Sequence, residues 1–263
     1  MRIAVFQMVA KKGDVAANLV MIADAVAEAA GAGAALLVAP ELATTAYGSG
    51  ERIRGLAEPA DGAQVAALSE MAFKHKVAIV AGFAERAGDA IYNSAALVTP
   101  DGGRSIYRKC HLYGDYERAL FTPGDRPPAI FELDGMKIGI LICYDVEFPE
   151  AVRHLAVQGA ELVLVPTAQP DTPDAPFIAE KIVPSRAFEN GIAIAYSDHA
   201  GGDDRFRYAG RSCIAFPDGS EGGRAPAEGS AVLVADYQPE TFSKARLANP
   251  YLRDRRPGLF GVR

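Results

Sequence analysis

The chain has 263 residues, of which 49% are hydrophobic and 23% are charged, and 27 Lys and Arg against 33 Asp and Glu give a formal net charge of −6. This composition is typical of a single globular domain over residues 1–263, and the acidic balance argues against a nucleic-acid partner. No apolar run reaches the roughly 18 residues that a membrane-spanning helix needs. Three cysteines do not suit a secreted disulfide framework, so we expect a cytoplasmic protein.

The beginning of the chain alternates apolar runs with a helical pattern. Residues 3–8 and 35–39 are short apolar runs, and the second has the continuous character of a strand covered on both faces. Between them, Asp14 is placed to cap a helix whose apolar residues recur every three or four positions as far as Gly31. This order predicts a strand, a helix and a second strand.

The next segment predicts a helix, a strand and a hairpin. The helix is expected to start at Asp61, with Gln64 in capping-box spacing, and to lead into a strand over residues 77–83. Residues 91–98 and 104–107 flank a Pro-Asp-Gly-Gly turn, which is typical of two antiparallel strands.

The second half returns to strands and helices in alternation. A strand over residues 137–143 is predicted to precede a helix that starts at Pro149, and residues 162–165 form the next buried strand. A helical pattern then covers residues 173–190, but Pro184 is expected to break or kink it.

Three further apolar runs complete the predicted core, at residues 192–197, 212–216 and 231–236. The tail, about residues 240–263, is either an arm that docks on another subunit or a frayed terminus. It mixes basic and apolar side chains, namely Arg253, Arg255, Arg256, Leu259, Phe260 and Arg263. Alternating strands and helices together with an antiparallel hairpin predict an α/β fold with two packed sheets and helices outside them.

Three predicted strand ends carry side chains that suit acyl transfer. Glu41 follows the strand over residues 35–39, Lys109 follows the hairpin, and Cys143 ends its strand. A carboxylate, an ammonium and a thiol supply a base, a charge that stabilises an oxyanion, and a nucleophile.

Cys143 stands out among the three cysteines because residues 144–150 turn directly into a helix. A thiol at such a strand-to-helix elbow lies close to backbone N–H groups and is exposed to substrate. A cysteine after an apolar run is otherwise most often a small buried hydrophobe. Cys110 and Cys213 lack the elbow and are predicted to be core or spectator thiols.

The histidines leave one catalytic alternative open. His111 lies two residues after Lys109 and is a candidate base for Cys143, as in thiol proteases. His75, His154 and His199 are scattered, and the sequence has no CxxC or HExxH pattern. We therefore expect no metal site, and the lack of a phosphate loop or dinucleotide fingerprint predicts no cofactor.

Three stretches of this sequence together resemble the nitrilase, or carbon–nitrogen hydrolase, superfamily over about residues 1–220. They are Pro40 with Glu41, residues 107–112 with Glu117, and residues 139–145 with the Phe-Pro-Glu of 148–150; residues 159–162 and 186–190 add to them. The resemblance implies a four-layer αββα sandwich of two mixed β-sheets with outer helices. It also implies a homodimer.

The same resemblance implies roles for individual residues. Glu41, Lys109 and Cys143 correspond to a catalytic triad, and Glu117 to a second acid that holds Lys109 and helps to place the substrate. The backbone N–H of Tyr144 would join Lys109 in holding the oxyanion, and His111 becomes a structural residue. Four residues are candidates for the substrate pocket: Tyr47, Tyr113, Thr167 and Ala168.

The expected reaction is hydrolysis of a small aliphatic amide to a carboxylic acid and ammonia through a cysteine thioester. The Tyr144-Asp145 pair after Cys143 resembles the amidase and carbamoylase branches rather than the nitrile-cleaving branch. Residues 168–174 are expected to line one wall of the site, where their acids would face an ω-amino group, or to form a solvated loop.

Two other functions remain open on the sequence. An N-carbamoyl amino acid or amine hydrolase would use the same triad but needs a cation for a substrate carboxylate, for which the candidates are Arg186, Arg205 and Arg207. A noncatalytic binding module would keep the fold alone, and the intact triad argues against it.

Overall fold

The computed structural model describes residues 1–259, and the predicted tail residues Phe260 and Arg263 lie outside that range. Twelve strands in the described chain form two six-stranded sheets. In spatial order, the first sheet contains β12 (Ala231–Asp236), β1 (Arg2–Gln7), β2 (Leu36–Val38), β3 (Ala78–Ala87), β4 (Ala90–Val98) and β5 (Arg104–Arg108). The second contains β11 (Glu221–Arg224), β10 (Cys213–Ala215), β9 (Ala193–Ser197), β8 (Leu162–Pro166), β7 (Met136–Ile140) and β6 (Ile130–Leu133).

Both sheets are mixed in the same way. The strands β1, β2 and β3 run parallel in the first sheet, and β7, β8 and β9 run parallel in the second. The remaining strands pair antiparallel at the two sides, including the predicted hairpin of β4 and β5. Parallel strands are covered on both faces, which agrees with their continuous apolar sequences.

The helices of the described chain are α1 (Val15–Gly31), α2 (Arg52–Leu56), α3 (Ala63–His75), α4 (Gly114–Leu120), α5 (Pro149–Val157), α6 (Ala175–Phe177), α7 (Val183–Asn190), α8 (Ser243–Ala248) and α9 (Tyr251–Asp254). Helices α1 and α3 share one apolar cluster with the outer face of the first sheet. Helices α5 and α7 pack against the second sheet, within the cluster that also fills the space between the sheets. The predicted αββα sandwich is therefore confirmed.

The alternation of side chains along β1 illustrates how a strand serves two layers. Ile3 and Val5 belong to the cluster between the sheets, whereas Ala4 and Phe6 belong to the cluster under α1 and α3. All four side chains are buried, because successive residues of a strand point to opposite faces.

Two predicted helix starts differ in outcome. The Asp14 carboxylate accepts a hydrogen bond from the Ala17 N–H at 3.0 Å, so the predicted cap of α1 is confirmed. The predicted capping box at Asp61 is wrong, because α3 begins at Ala63 and its N-cap makes no side-chain bond. Instead, the carboxylate of Glu58 accepts from the backbone N–H of Gln64 at 2.8 Å.

The helical segment that contains Pro184 does not break. A π-helical turn over Ile178–Ile182 joins α6 to α7, and Pro184 lies in the first turn of α7. In such a turn the N–H groups bond to carbonyls five residues earlier, and the carbonyl of Ala179, five residues before Pro184, accepts from the Arg224 guanidinium at 3.1 Å in place of the N–H that proline lacks.

Part of the predicted tail packs against the rest of the chain. The Phe242 ring lies 5.0 Å from that of Phe216, and the Tyr251 ring lies 6.0 Å from that of Phe188. Within residues 1–259 no helix is both long and apolar enough to cross a membrane.

Candidate active site

The site lies where strands from both sheets end. Glu41 follows β2 and Lys109 follows β5 in the first sheet, and Cys143 follows β7 in the second. The backbone N–H of Glu41 donates to the carbonyl oxygen of Thr167, directly after β8, at 3.3 Å. The two sheets thus meet at the residues that the sequence singles out.

Lys109 is the centre of the site. Its side chain is 0% exposed, and its Nζ lies 2.7 Å from Glu41 Oε1 and 2.7 Å from Glu117 Oε1. Burial lowers the pKa of Lys109, but the carboxylates of Glu117 and Glu41 outweigh burial and hold the pKa well above its ordinary value. The ammonium therefore stays charged, and acceptors among residues 1–259 occupy two of its three N–H groups, which leaves the third for another acceptor.

The carboxylate of Glu41 has one oxygen in use and one free. Glu41 Oε1 accepts from Lys109 and from Asn93 Nδ2, the latter at 2.6 Å. Glu41 Oε2 is buried and has no hydrogen-bond partner among residues 1–259. Burial raises the pKa of Glu41 to about 7, although Lys109 lowers it. Such a carboxyl group can both accept and return a proton near neutral pH.

Glu117 differs from Glu41 because both of its oxygens are occupied. Its Oε1 accepts from Lys109 and from the hydroxyl of Tyr47 at 2.9 Å, and its Oε2 accepts from the backbone N–H of Tyr113 at 2.9 Å. Helix α4 carries this side chain into the core, where it is 0% exposed. This set of donors holds the Glu117 carboxylate in place beside the Lys109 ammonium.

Cys143 begins the 3₁₀ turn Cys143–Glu147, at a strained backbone position. Its φ of 46° is left-handed, which costs a residue other than glycine about 1–2 kcal/mol. Burial and the Glu41 carboxylate raise the pKa of the thiol well above its ordinary value, and Lys109 and a backbone hydrogen bond from Ala168 only partly offset this. A thiol with a raised pKa needs a base before it can act as a nucleophile.

The candidate pocket residues surround this group. Tyr47 is buried, bonded to Glu117, and packed against the ring of Tyr116 at 5.3 Å. Tyr113 is 38% exposed, and its ring meets that of Tyr144 edge to face at 5.2 Å.

Thr167 and Ala168 follow β8 and are both buried. The Thr167 hydroxyl donates to the carbonyl of Val165 at 3.1 Å, so this hydroxyl is already engaged. The Tyr144 N–H lies in the first turn of the 3₁₀ segment, where backbone N–H groups lack intrahelical partners.

The sequence did not indicate that Asn93 belongs to the site, nor why residue 82 has to be a glycine. The backbone pairing of β4 brings Asn93 beside Lys109, whose N–H donates to the Asn93 carbonyl at 2.9 Å. A Cβ at Gly82 would lie 2.6 Å from Glu41 Cα, so only glycine lets β3 approach the glutamate loop this closely. The available signals were a polar residue and a glycine inside otherwise apolar strands.

The remaining candidates have other surroundings. His111 Nδ1 lies 2.8 Å from Asp145 Oδ1, and its ring stacks on Phe148, so its partner is a carboxylate rather than the thiol. Cys110 is half-buried and Cys213 is buried inside β10. In the described part of the chain no group of three His, Cys, Asp or Glu side chains is arranged to hold a metal ion.

Comparison with known proteins gives the same picture. Residues 2–247 match the carbon-nitrogen hydrolase family. An (R)-stereoselective amidase from Pseudomonas sp is 37% identical over 265 residues, which cover 99% of this chain and 93% of the relative. An N-carbamoylputrescine amidase from Arabidopsis thaliana is 33% identical over 215 residues, which cover 75% of this chain and 72% of the relative.

Among solved structures, the amidase from Nesterenkonia sp. AN1 superimposes with a TM-score of 0.88 at 35% sequence identity, and the alignment covers 98% of both chains. That structure records the Michael addition of acrylamide at the active site cysteine of a mutant. The family match spans nearly the whole described chain, and the fold agrees with it. The chain therefore belongs to the carbon-nitrogen hydrolase family.

Proposed function

We propose that this protein is an amidase that hydrolyses a small aliphatic amide to a carboxylic acid and ammonia through a thioester on Cys143. One observation carries the proposal: a buried lysine binds two carboxylates, of which only Glu41 keeps an oxygen without a partner among residues 1–259, beside the Cys143 thiol. The amidases among its relatives support the same reaction class.

Acylation uses the three groups in turn. As Cys143 Sγ attacks the amide carbon, Glu41 takes the thiol proton, and the carbonyl oxygen gains the negative charge. The free N–H of Lys109 and the backbone N–H of Tyr144 hold this oxyanion; one such donor typically contributes about 3–4 kcal/mol. The carbon–nitrogen bond then breaks, and protonated Glu41 gives its proton to the departing ammonia.

Deacylation repeats the proton transfers with water. Glu41 takes a proton from a water molecule that attacks the thioester, and the oxyanion returns to the same donors. The carbon–sulfur bond breaks, Cys143 regains its proton from Glu41, and the carboxylic acid leaves. Each turnover consumes one amide and one water and releases one acid and one ammonia.

The test is ammonia release from a panel of small compounds. Acetamide, propionamide, a longer ω-amino amide and the matching nitriles are incubated with the enzyme, and rapid quenching followed by mass spectrometry detects an acylated Cys143. We expect ammonia from the amides and an acyl adduct on this residue. Turnover of the nitriles without turnover of the amides would contradict the proposal.

The second candidate, hydrolysis of an N-carbamoyl group, is supported by the Arabidopsis thaliana relative. Arg186 is already bonded to the backbone carbonyls of Val146 and Glu147, whereas the Arg205 guanidinium lies 5.3 Å from the centre of the Tyr116 ring. Arg205 is therefore the better partner for a substrate carboxylate. Faster ammonia release from an N-carbamoyl amino acid than from propionamide would favour this function.

The pKa of Glu41 predicts the acid side of the pH profile. Because a base must be ionised to act, kcat/KM for an amide should fall about tenfold for each pH unit below the pKa of about 7. The Asn93 amide lowers this pKa, so Asn93→Ala should move the inflection to higher pH.

Ser94→Ala is the matched control for Asn93→Ala. Ser94 is the next residue of β4, and its hydroxyl donates to Glu85 rather than to Glu41. Its pH profile should coincide with that of the wild type. An Asn93→Ala profile that also coincides would remove Glu41 from the role of base.

We further propose that two copies associate as a homodimer through the groove between α5, α7 and the C-terminal segment. The groove has a volume of about 640 Å³. Its lining carries charges of both signs beside Leu259, including Glu150 and Arg153, and it suits a self-complementary contact between identical surfaces.

Sedimentation of a Leu259→Asp variant tests the dimer. Leu259 is 55% exposed in the groove, and Val20→Asp on α1, where Val20 is 60% exposed, is the control. We expect Leu259→Asp to lower the dimer fraction and Val20→Asp to leave it unchanged. A wild-type protein that sediments as a monomer at micromolar concentration would refute the association.

A further inference from the structure

A further fully buried carboxylate, that of Asp145, lies two residues after Cys143, and the proposed chemistry does not use it. Asp145 Oδ2 accepts from the Tyr107 hydroxyl at 2.9 Å and from the Ile142 N–H at 3.1 Å. Asp145 Oδ1 accepts from the backbone N–H of His111 at 2.9 Å and lies 2.8 Å from His111 Nδ1. This carboxylate is therefore saturated with donors from three residues.

The donors come from the two segments that must be aligned for the reaction. Tyr107 and His111 lie two residues before and two residues after Lys109, and Ile142 directly precedes Cys143. The Asp145 carboxylate thus connects residues 107–111, at the end of β5 in the first sheet, to residues 142–143, which follow β7 in the second sheet. No other side chain within residues 1–259 accepts hydrogen bonds from both of these segments.

We propose that Asp145, with His111 as its partner, is a positioning residue that holds the Cys143 thiol in place opposite Lys109; this rests on the proposed function. The left-handed backbone of Cys143 persists only where its surroundings fix it. Asp145 is bonded to both backbone polar groups of Ile142. Its own N–H donates to the Ile142 carbonyl at 3.0 Å, and its carboxylate accepts a hydrogen bond from the Ile142 N–H.

The His111 side chain makes two contacts that can be separated. Its Nδ1 meets the Asp145 carboxylate, and its ring stacks on Phe148 at a centroid distance of 3.9 Å. An asparagine side chain places an amide donor near the position of Nδ1 but has no ring. A phenylalanine side chain keeps the ring but has no donor.

His111→Asn and His111→Phe therefore form a matched pair. If the bond to Asp145 positions the thiol, His111→Phe should lower kcat for propionamide about tenfold or more with KM within about twofold, because small displacements of reacting groups slow the chemical step. His111→Asn should restore kcat to within about threefold of the wild type. Equal kcat values in the two variants, or a larger loss in His111→Asn, would overturn the proposal.

Alkylation of Cys143 by iodoacetamide gives a readout that does not depend on turnover. The alkylation rate should fall in His111→Phe and recover in His111→Asn, and the melting temperatures of the two variants show whether folding accounts for the difference. Asp145→Asn, which puts an amide donor against the Ile142 N–H or the Tyr107 hydroxyl, should slow alkylation as well.

The two proposals fail in different ways. A wild-type enzyme that releases no ammonia from any amide but whose alkylation rate follows the His111 series would refute the proposed function and keep the positioning role. Turnover of propionamide with kcat and alkylation unchanged in His111→Phe would refute the positioning role alone.

Discussion

Replacing Cys143 with alanine is expected to lower ammonia release from the best amide by a factor on the order of 10⁴ or more, since removal of a nucleophile leaves only substrate binding and oxyanion contacts. The fold should be retained at a small cost in stability, because alanine removes only the sulfur atom from this buried side chain. Ammonia release at saturating substrate, measured beside the melting temperature, checks both statements.

The other two cysteines supply the controls for this variant. Cys110→Ala and Cys213→Ala should retain turnover close to that of the wild type, although Cys213→Ala should lose some stability because Cys213 is buried in β10. Undiminished ammonia release by Cys143→Ala would exclude the thioester route, and inactivity of Cys110→Ala would assign that thiol a role that its surroundings do not suggest.

The second large effect is expected for Lys109→Met. Removal of the ammonium leaves Glu41 and Glu117 buried without their shared cation, and breaking a buried ion pair in this way typically costs about 3–5 kcal/mol of folding stability. Turnover should also fall by at least about 10²-fold, because the N–H that is proposed to hold the oxyanion is gone. Denaturant titration and ammonia release measure the two effects separately.

The stability loss of Lys109→Met should depend on pH in a defined direction. Without the lysine, the folded-state pKa of Glu41 should rise above the wild-type value of about 7 while its pKa in the unfolded chain stays the same, so the extra penalty appears as the pH rises through about 7. The difference from the wild type should therefore shrink as the pH is lowered below about 7. A difference that grows in acid would contradict this account.

The double variant Lys109→Met with Glu117→Gln separates stability from chemistry. It removes one of the two buried carboxylates that lack a cation in Lys109→Met, and it should therefore recover part of the lost free energy of unfolding. Its turnover should remain low, since no ammonium is restored. Recovery of activity together with stability would show that Lys109 acts only through folding.

The sequence predicted the parts of the molecule whose signals are local. The apolar runs of the parallel strands, the Asp14 cap and the start of α5 at Pro149 all follow from neighbouring residues. Glu41, Lys109 and Cys143 were candidates because each stands at the end of an apolar run, and the structure brings their segments together. Glu117 entered only through the family resemblance, since nothing around position 117 indicates that its carboxylate is buried.

The features that the sequence did not predict depend on contacts between distant segments. Asn93 bonds to Glu41 across 52 positions, and Asp145 bonds to Tyr107 across 38. The strand β11 has the sequence Glu-Gly-Gly-Arg, which no strand propensity favours, and it forms by pairing with β10 at the edge of its sheet. The π-helical turn before Pro184 likewise reflects the helix as a whole rather than any single residue.

The candidate site is divided between the two sheets, and this division affects how the enzyme would lose its activity. Glu41 and Lys109 belong to one half of the sandwich and Cys143 to the other, so neither half contains the complete set of proposed reacting groups. A slight loosening of the apolar layer between the halves should separate the proposed nucleophile from its proposed base before any strand or helix is lost. Loss of turnover is then the earliest sign of damage to the core.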